Sequence, residues 1–145
     1  MDTTTRTPSQ LYAIVVGGTL VFAGLIGFLY SASFGAPGEV DEVFGLLGVN
    51  AWHNLVHIAT GLFGLLALRY GASGARAYAG GLGLVYVAIA IWGFALGEGN
   101  LLGFIPVNTE DNVLHTLIGL AGLAAYAMSA AREPRRGGDV AASRA

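Results

Sequence analysis

The chain carries three histidines, His53, His57 and His115, and no cysteine. His53 and His57 stand four apart, which on a helix puts both imidazoles on one face, a spacing that suits metal ligation. Asp111 and His115 repeat that spacing. Three imidazoles and a carboxylate make a donor set for zinc, copper or iron. The lack of thiols excludes iron–sulfur clusters, zinc ribbons and disulfides. Two variants use the same residues: a b-type haem held between His57 and His115, and a proton or ion relay through that pair. The relay has no acid deeper in either stretch to continue it. A plainer expectation comes ahead of all three and needs no cofactor. Asn54 and Asn112 each precede a histidine by three residues, so Asn54 with His57 and Asn112 with His115 form a polar network tying two helices together. Asn50 and Asn108 then act as helix N-caps, Asn108 being followed by acids in the first turn. No nucleophile with a base, phosphate-binding loop or carboxylate pair at depth stands in the chain. The expectation is a non-enzymatic protein.

The elements that must position these residues follow from the charge pattern. Of 145 residues 54% are hydrophobic and 11% charged, with mean hydropathy +0.64. Soluble domains carry about a quarter charged residues. A nucleic-acid binder, a disordered chain and a conventional water-soluble enzyme are excluded, and the expected partner is the lipid bilayer. Four stretches lack Asp, Glu, Lys and Arg: those between Arg6 and Glu39, Glu42 and Arg69, Arg76 and Glu98, and Asp111 and Arg132. They hold 32, 26, 21 and 20 residues, and a helix crossing about 30 Å of hydrocarbon needs about 20. Spans are expected at Leu11–Leu29, Ala51–Leu68, Ala77–Leu96 and Val113–Ala130. The third has no polar face, so lipid suits it better than water. Span one is longer than a signal-peptide core and is read as retained.

Orientation follows from the arginines. All seven flank one side of these spans, while Glu39, Asp41, Glu42, Glu98, Glu110 and Asp111 fall on the other. The arginine side is therefore expected to be cytoplasmic, with both termini there. Tyr12, Tyr70, Tyr78 and Tyr126 mark the inner boundary, and Trp52 and Trp92 the outer one.

Residues 45–67 laid over 103–125 give ten identities in 23 positions, against roughly two by chance, which marks an internal repeat. Gly45/Gly103, Asn50/Asn108, Asn54/Asn112, His57/His115, Gly61/Gly119 and Gly64/Gly122 are among them. Spans one and three match at offset 66, as in Tyr12/Tyr78, Gly17/Gly83, Val21/Val87 and Gly27/Gly93. The fold class expected is all-α: an integral membrane four-helix bundle of two tandem two-helix repeats, 11–68 and 77–130. The glycine faces of spans two and four are expected to face each other or the opposite hairpin, with faces left over for a homo-oligomer or another membrane protein. A cytoplasmic segment, 1–10, precedes the transmembrane domain 11–130, and a disordered basic tail, 131–145, follows it. Residues 30–50 and 97–111 are read as solvated, acidic connections.

The segments RTPSQLYA, VNAWHNLVHIATGLFGL, LVYVAIAIWGF and IPVNTEDNVLHTLIGLAGL resemble the DUF4383 family, with the paired Asn-x-x-His motifs as its most specific feature. The resemblance implies a small four-span protein of the bacterial inner membrane and carries no activity.

Overall fold

A computed structural model describes residues 5–34, 41–97 and 99–131. The fold is mostly helical, and each boundary has a local cause. Helix α1 (Pro8–Tyr30) starts at a capping box: the Gln10 amide donates to Thr7 Oγ1 at 3.2 Å, and the Thr7 amide to Gln10 Oε1 at 2.9 Å. Helix α2 (Ala51–Ala67) is capped by Asn50, whose Oδ1 accepts from the His53 amide at 2.9 Å. Helix α4 (Thr109–Ala130) is capped by Asn108, with Asp111 closing the box. The two capping expectations hold. Helix α3 (Gly71–Leu96) starts six residues before the expected third span, so Arg76 lies inside it. Of the expected N-terminal segment, residues from Pro8 onward are already helix.

Three helical stretches are long and apolar enough to cross a membrane: Pro8–Tyr30, Ala51–Leu96 and Thr109–Ala130. The middle one, of 46 residues, joins α2 and α3 through one 3-10 turn, Leu68–Tyr70, where two separate spans were expected. The backbone nevertheless turns there. Gly71 takes φ +65°, and the Tyr78 ring lies against Gly64. On a straight helix those two residues would stand about 21 Å apart.

Helix α1 packs along α2, and α3 along α4. Glycines permit both approaches. A Cβ on Gly61 would lie 2.5 Å from the Gly17 carbonyl oxygen, and one on Gly119 3.0 Å from that of Gly83. The glycine faces of α2 and α4 therefore do not face each other: Gly61 and Gly119 meet α1 and α3 of their own hairpins, and Gly64 and Gly122 meet tyrosines of the opposite hairpin, the other expected arrangement. Aromatic rings join the two helix pairs: Tyr78 fills the space over Gly64 and Tyr12 that over Gly122, the Tyr12 hydroxyl donating to the Ile118 carbonyl at 3.0 Å. Their rings stand 6.1 Å apart within a core that includes Leu20, Ala79 and Tyr86. Outward, Phe22, Leu29, Phe63, Leu84 and Ile91 are 65–79% exposed. An apolar exterior of this extent calls for a lipid environment.

The connections differ from the solvated loops expected. Strands β1 (Asp41–Val43) and β2 (Leu47–Val49) form one antiparallel hairpin, β3 (Gly99–Leu101) and β4 (Ile105–Val107) another. Val43, Val49, Leu101 and Val107 are buried under them. Each turn holds an apolar residue and a glycine at positive φ, Phe44-Gly45 and Leu102-Gly103. The hairpins are cross-linked by the capping asparagines: Asn50 Nδ2 donates to the Phe104 carbonyl and Asn108 Nδ2 to that of Leu46, each at 2.6 Å. At the opposite end the Ser9 amide donates to Ser129 Oγ at 2.9 Å, which brings the start of α1 beside the end of α4. The basic tail from Arg132 onward, with Glu39 and Glu98, lies outside the described residues.

Candidate metal centre

His53 is the third residue of α2, directly under the hairpins. Its Nδ1 lies 2.8 Å from the Gly48 carbonyl oxygen of β2. A carbonyl only accepts, so Nδ1 carries the proton and Nε2 keeps its lone pair. That lone pair points to His57 Nε2 at 3.1 Å. His115 comes in from α4, its ring 6.2 Å from that of His53 and 6.5 Å from that of His57. One nitrogen from each of the three lies within 4.8 Å of the others. Among the described residues His115 Nδ1 is buried with no hydrogen-bond partner, while the Tyr86 ring meets the His115 ring edge-on at 5.1 Å. A cavity of about 50 Å³ lies among the three imidazoles, Tyr86 and Ile89.

This arrangement suits a first-row transition ion by its donors. Neutral imidazoles bind zinc, copper, nickel or iron, whereas calcium and magnesium demand oxygen. Nitrogens at about 2.0–2.1 Å from a tetrahedral ion stand roughly 3.3 Å apart, close to the His53–His57 separation. The Gly48 carbonyl holds His53 in the tautomer and orientation that a metal ligand needs. The cavity has room for an ion with a water, since one water takes about 10–15 Å³ on this measure. It has no room for haem: pockets for groups of that size run to about 300–1,000 Å³. The haem variant is therefore set aside.

The other expected residues are placed differently. Asp111 is not among the converging donors. Its Oδ2 accepts from the Gly48 amide at 3.0 Å and from the Asn108 amide at 3.3 Å. It caps α4 and grips the amide of Gly48, the residue whose carbonyl orients His53. Asn54 donates to the Ser31 carbonyl at 2.9 Å and lies against Gly27 of α1, while Asn112 lies against Gly93 of α3. Among the described residues neither asparagine hydrogen-bonds a histidine, so the expected Asn/His network between α2 and α4 does not form. Three helical steps rotate a side chain by about 300°. Asn54 and Asn112 thus turn toward their own hairpin partners, while the histidines turn to the bundle centre. Gly48 and Tyr86 were missed from sequence: Gly48 acts only through its backbone, inside a hairpin that glycine-rich composition concealed.

The fold and site define a helical protein of membrane-like exterior, with a largely buried imidazole cluster within the first two turns of α2 and α4. The chain belongs to the DUF4383 family, described as a domain of unknown function, whose family model matches residues 10–128. No curated protein and no solved structure matches it significantly.

Proposed function

We propose that the chain is a multi-pass membrane protein that binds a transition-metal ion through His53, His57 and His115. The observation that carries this reading is the convergence of three imidazoles on a small cavity, His115 Nδ1 being buried without a hydrogen-bond partner among the described residues. A buried ring nitrogen without a partner costs free energy, and a metal–nitrogen bond recovers it where that nitrogen carries the lone pair.

The chain crosses the membrane four times, as two hairpin repeats, 11–68 and 77–130, with both termini on the cytoplasmic face of the bacterial inner membrane. The Gly64–Tyr78 contact and the Ser9–Ser129 bond support the even number of crossings. The arginine distribution supports the orientation. The recurrence of Asn caps, glycine crossings and hairpins at offsets of 58 and 66 supports the duplication. On this topology the metal lies near the outer surface, and the segments 1–10 and 131–145 flank the domain inside.

The test is metal content. Protein purified in mild detergent and loaded with zinc or cobalt, then dialysed, is expected to keep about one ion per chain. His57→Ala and His115→Ala are expected to lose it, and Asn54→Ala to keep it. Bound cobalt shows intense visible bands of a tetrahedral site. Wild type that stays empty after loading, or His57→Ala that keeps full occupancy, overturns the reading and leaves the imidazoles as packing alone.

A further inference from the structure

A second cavity, of about 200 Å³, lies between α1, the first hairpin and the histidine cluster. Phe22, Ala23, Val43 and Phe44 form its apolar walls, and His57 and Asp111 stand in its lining as the polar groups. Phe22, 65% exposed, places its mouth on the lipid-facing side of α1. Phe44 closes the hairpin side and meets the Tyr30 ring edge-on at 5.6 Å.

We propose that this cavity binds a lipid-borne molecule with a ring-sized apolar head that carries one hydroxyl or carbonyl, a phenol or quinol type of ligand. Size sets the ring: a dry apolar cavity of about 150 Å³ takes one benzene. The walls exclude a charged or strongly polar head, which could not be satisfied there. His57 and Asp111 offer a hydrogen-bond partner for one polar group. Access from the bilayer delivers the molecule tail outward.

A comparison of the two halves strengthens the case. At offsets of 66 and 58, Ala23, Val43, Leu47, His57 and Asp111 fall on Ile89, Leu101, Ile105, His115 and His53. The first set lines the large cavity and the second the small one. They are two copies of one place in the fold. Ile89 carries three carbons beyond Cβ where Ala23 stops at Cβ, and one copy has closed around the imidazoles. The other has stayed open, with a carboxylate where its counterpart has His53. The inference goes beyond the metal reading, because it requires only His57 and Asp111 as hydrogen-bonding groups.

The experiment uses metal-free full-length protein in phosphatidylcholine nanodiscs, titrated with 4-propylphenol and with propylbenzene and followed by saturation-transfer NMR. The phenol is expected to bind about tenfold more tightly, the value of one hydrogen bond to a buried partner. Ala23→Ile, which copies Ile89, is expected to abolish binding of both while leaving the melting temperature and the zinc content of loaded protein unchanged. Should Ala23→Ile fail to fold, Ala23→Val is expected to weaken binding by a smaller factor. Equal affinity for the two compounds would show an unselective slot for acyl chains and overturn the proposal. So would unchanged binding in the Ala23 variants. Wild type that binds the phenol but keeps no zinc after loading would refute the metal reading alone.

Discussion

Replacing Gly61 by alanine tests the helix crossing on which the bundle depends. The added Cβ would stand 2.5 Å from the Gly17 carbonyl oxygen and 2.8 Å from both the Val21 amide nitrogen and Val21 Cγ2. Ordinary contact begins near 3.4 Å, and two of the three obstacles are backbone, so no rotamer change relieves the clash. The helices must separate by most of an ångström. A gap of about 0.5–1 Å forfeits a quarter to a half of each contact's dispersion energy. Overpacking of this kind costs about 1–3 kcal/mol, and the rigid obstacles put Gly61→Ala at the upper end, about 2–3 kcal/mol less stable. Gly18, next to the crossing, has nothing within 4 Å of its Cβ position. Gly18→Ala should therefore gain only helix propensity, about 0.5–1 kcal/mol of stabilisation. The two variants thus differ in sign and by about 3 kcal/mol. Unfolding in mixed micelles of rising SDS fraction, followed by circular dichroism, measures the difference. A Gly61→Ala protein as stable as Gly18→Ala would refute the close crossing of α1 and α2.

Asn54→Ala removes the donor to the Ser31 carbonyl and is expected to cost about 1–3 kcal/mol in the same unfolding assay, with zinc content unchanged. Asp111→Ala frees both the Gly48 amide and the α4 cap. It should cost about 1–2 kcal/mol and, because Gly48 orients His53, weaken zinc binding by about 10–100-fold in a competition titration. Gly71→Ala meets no neighbour among the described residues, yet φ +65° with ψ −148° at the α2–α3 turn is a conformation essentially reserved for glycine, so the variant is expected to be about 1–3 kcal/mol less stable, and Gly71→Asn should lose a similar amount.

The helices were legible because hydrocarbon imposes a simple rule: an uncharged stretch of sufficient length is a helix. Asn50 and Asn108 were legible as caps for an equally local reason. The partners of each face were not. A glycine face records that something approaches closely without naming it, and Gly61 proved to meet Gly17 rather than Gly119. The histidine cluster was partly legible. The i, i+4 pair His53–His57 and the matching depth of His115 placed three imidazoles at one level, and the bundle brings them together. Asp111 occupies the same register as His53, and equal register hid a difference in chemistry. A carboxylate can accept from backbone amides at a helix start, whereas an Nδ1–H can only donate, so one closes a cap and the other leans on a carbonyl. The hairpins were not legible, because Phe-Gly and Leu-Gly are unusual turn pairs beside the Asn-Gly that marks such turns.

Under the proposed duplication, the positions that stay alike and those that part company separate folding from chemistry. Asn50/Asn108, Asn54/Asn112, Gly17/Gly83, Gly61/Gly119 and Tyr12/Tyr78 are identical across the halves, and each makes a contact that holds helices or hairpins in place. Among the pairs that differ, His53 against Asp111 and Ala23 against Ile89 line the two cavities beside the imidazoles, and Leu20 stands where the other half has Tyr86. The two halves thus differ in what they enclose, three imidazoles around the small cavity and an apolar chamber in the other, with His57 lining both. Any ligand in the chamber would then sit one side chain from the ion. A histidine that borders both spaces is the group through which occupancy of one could alter the other.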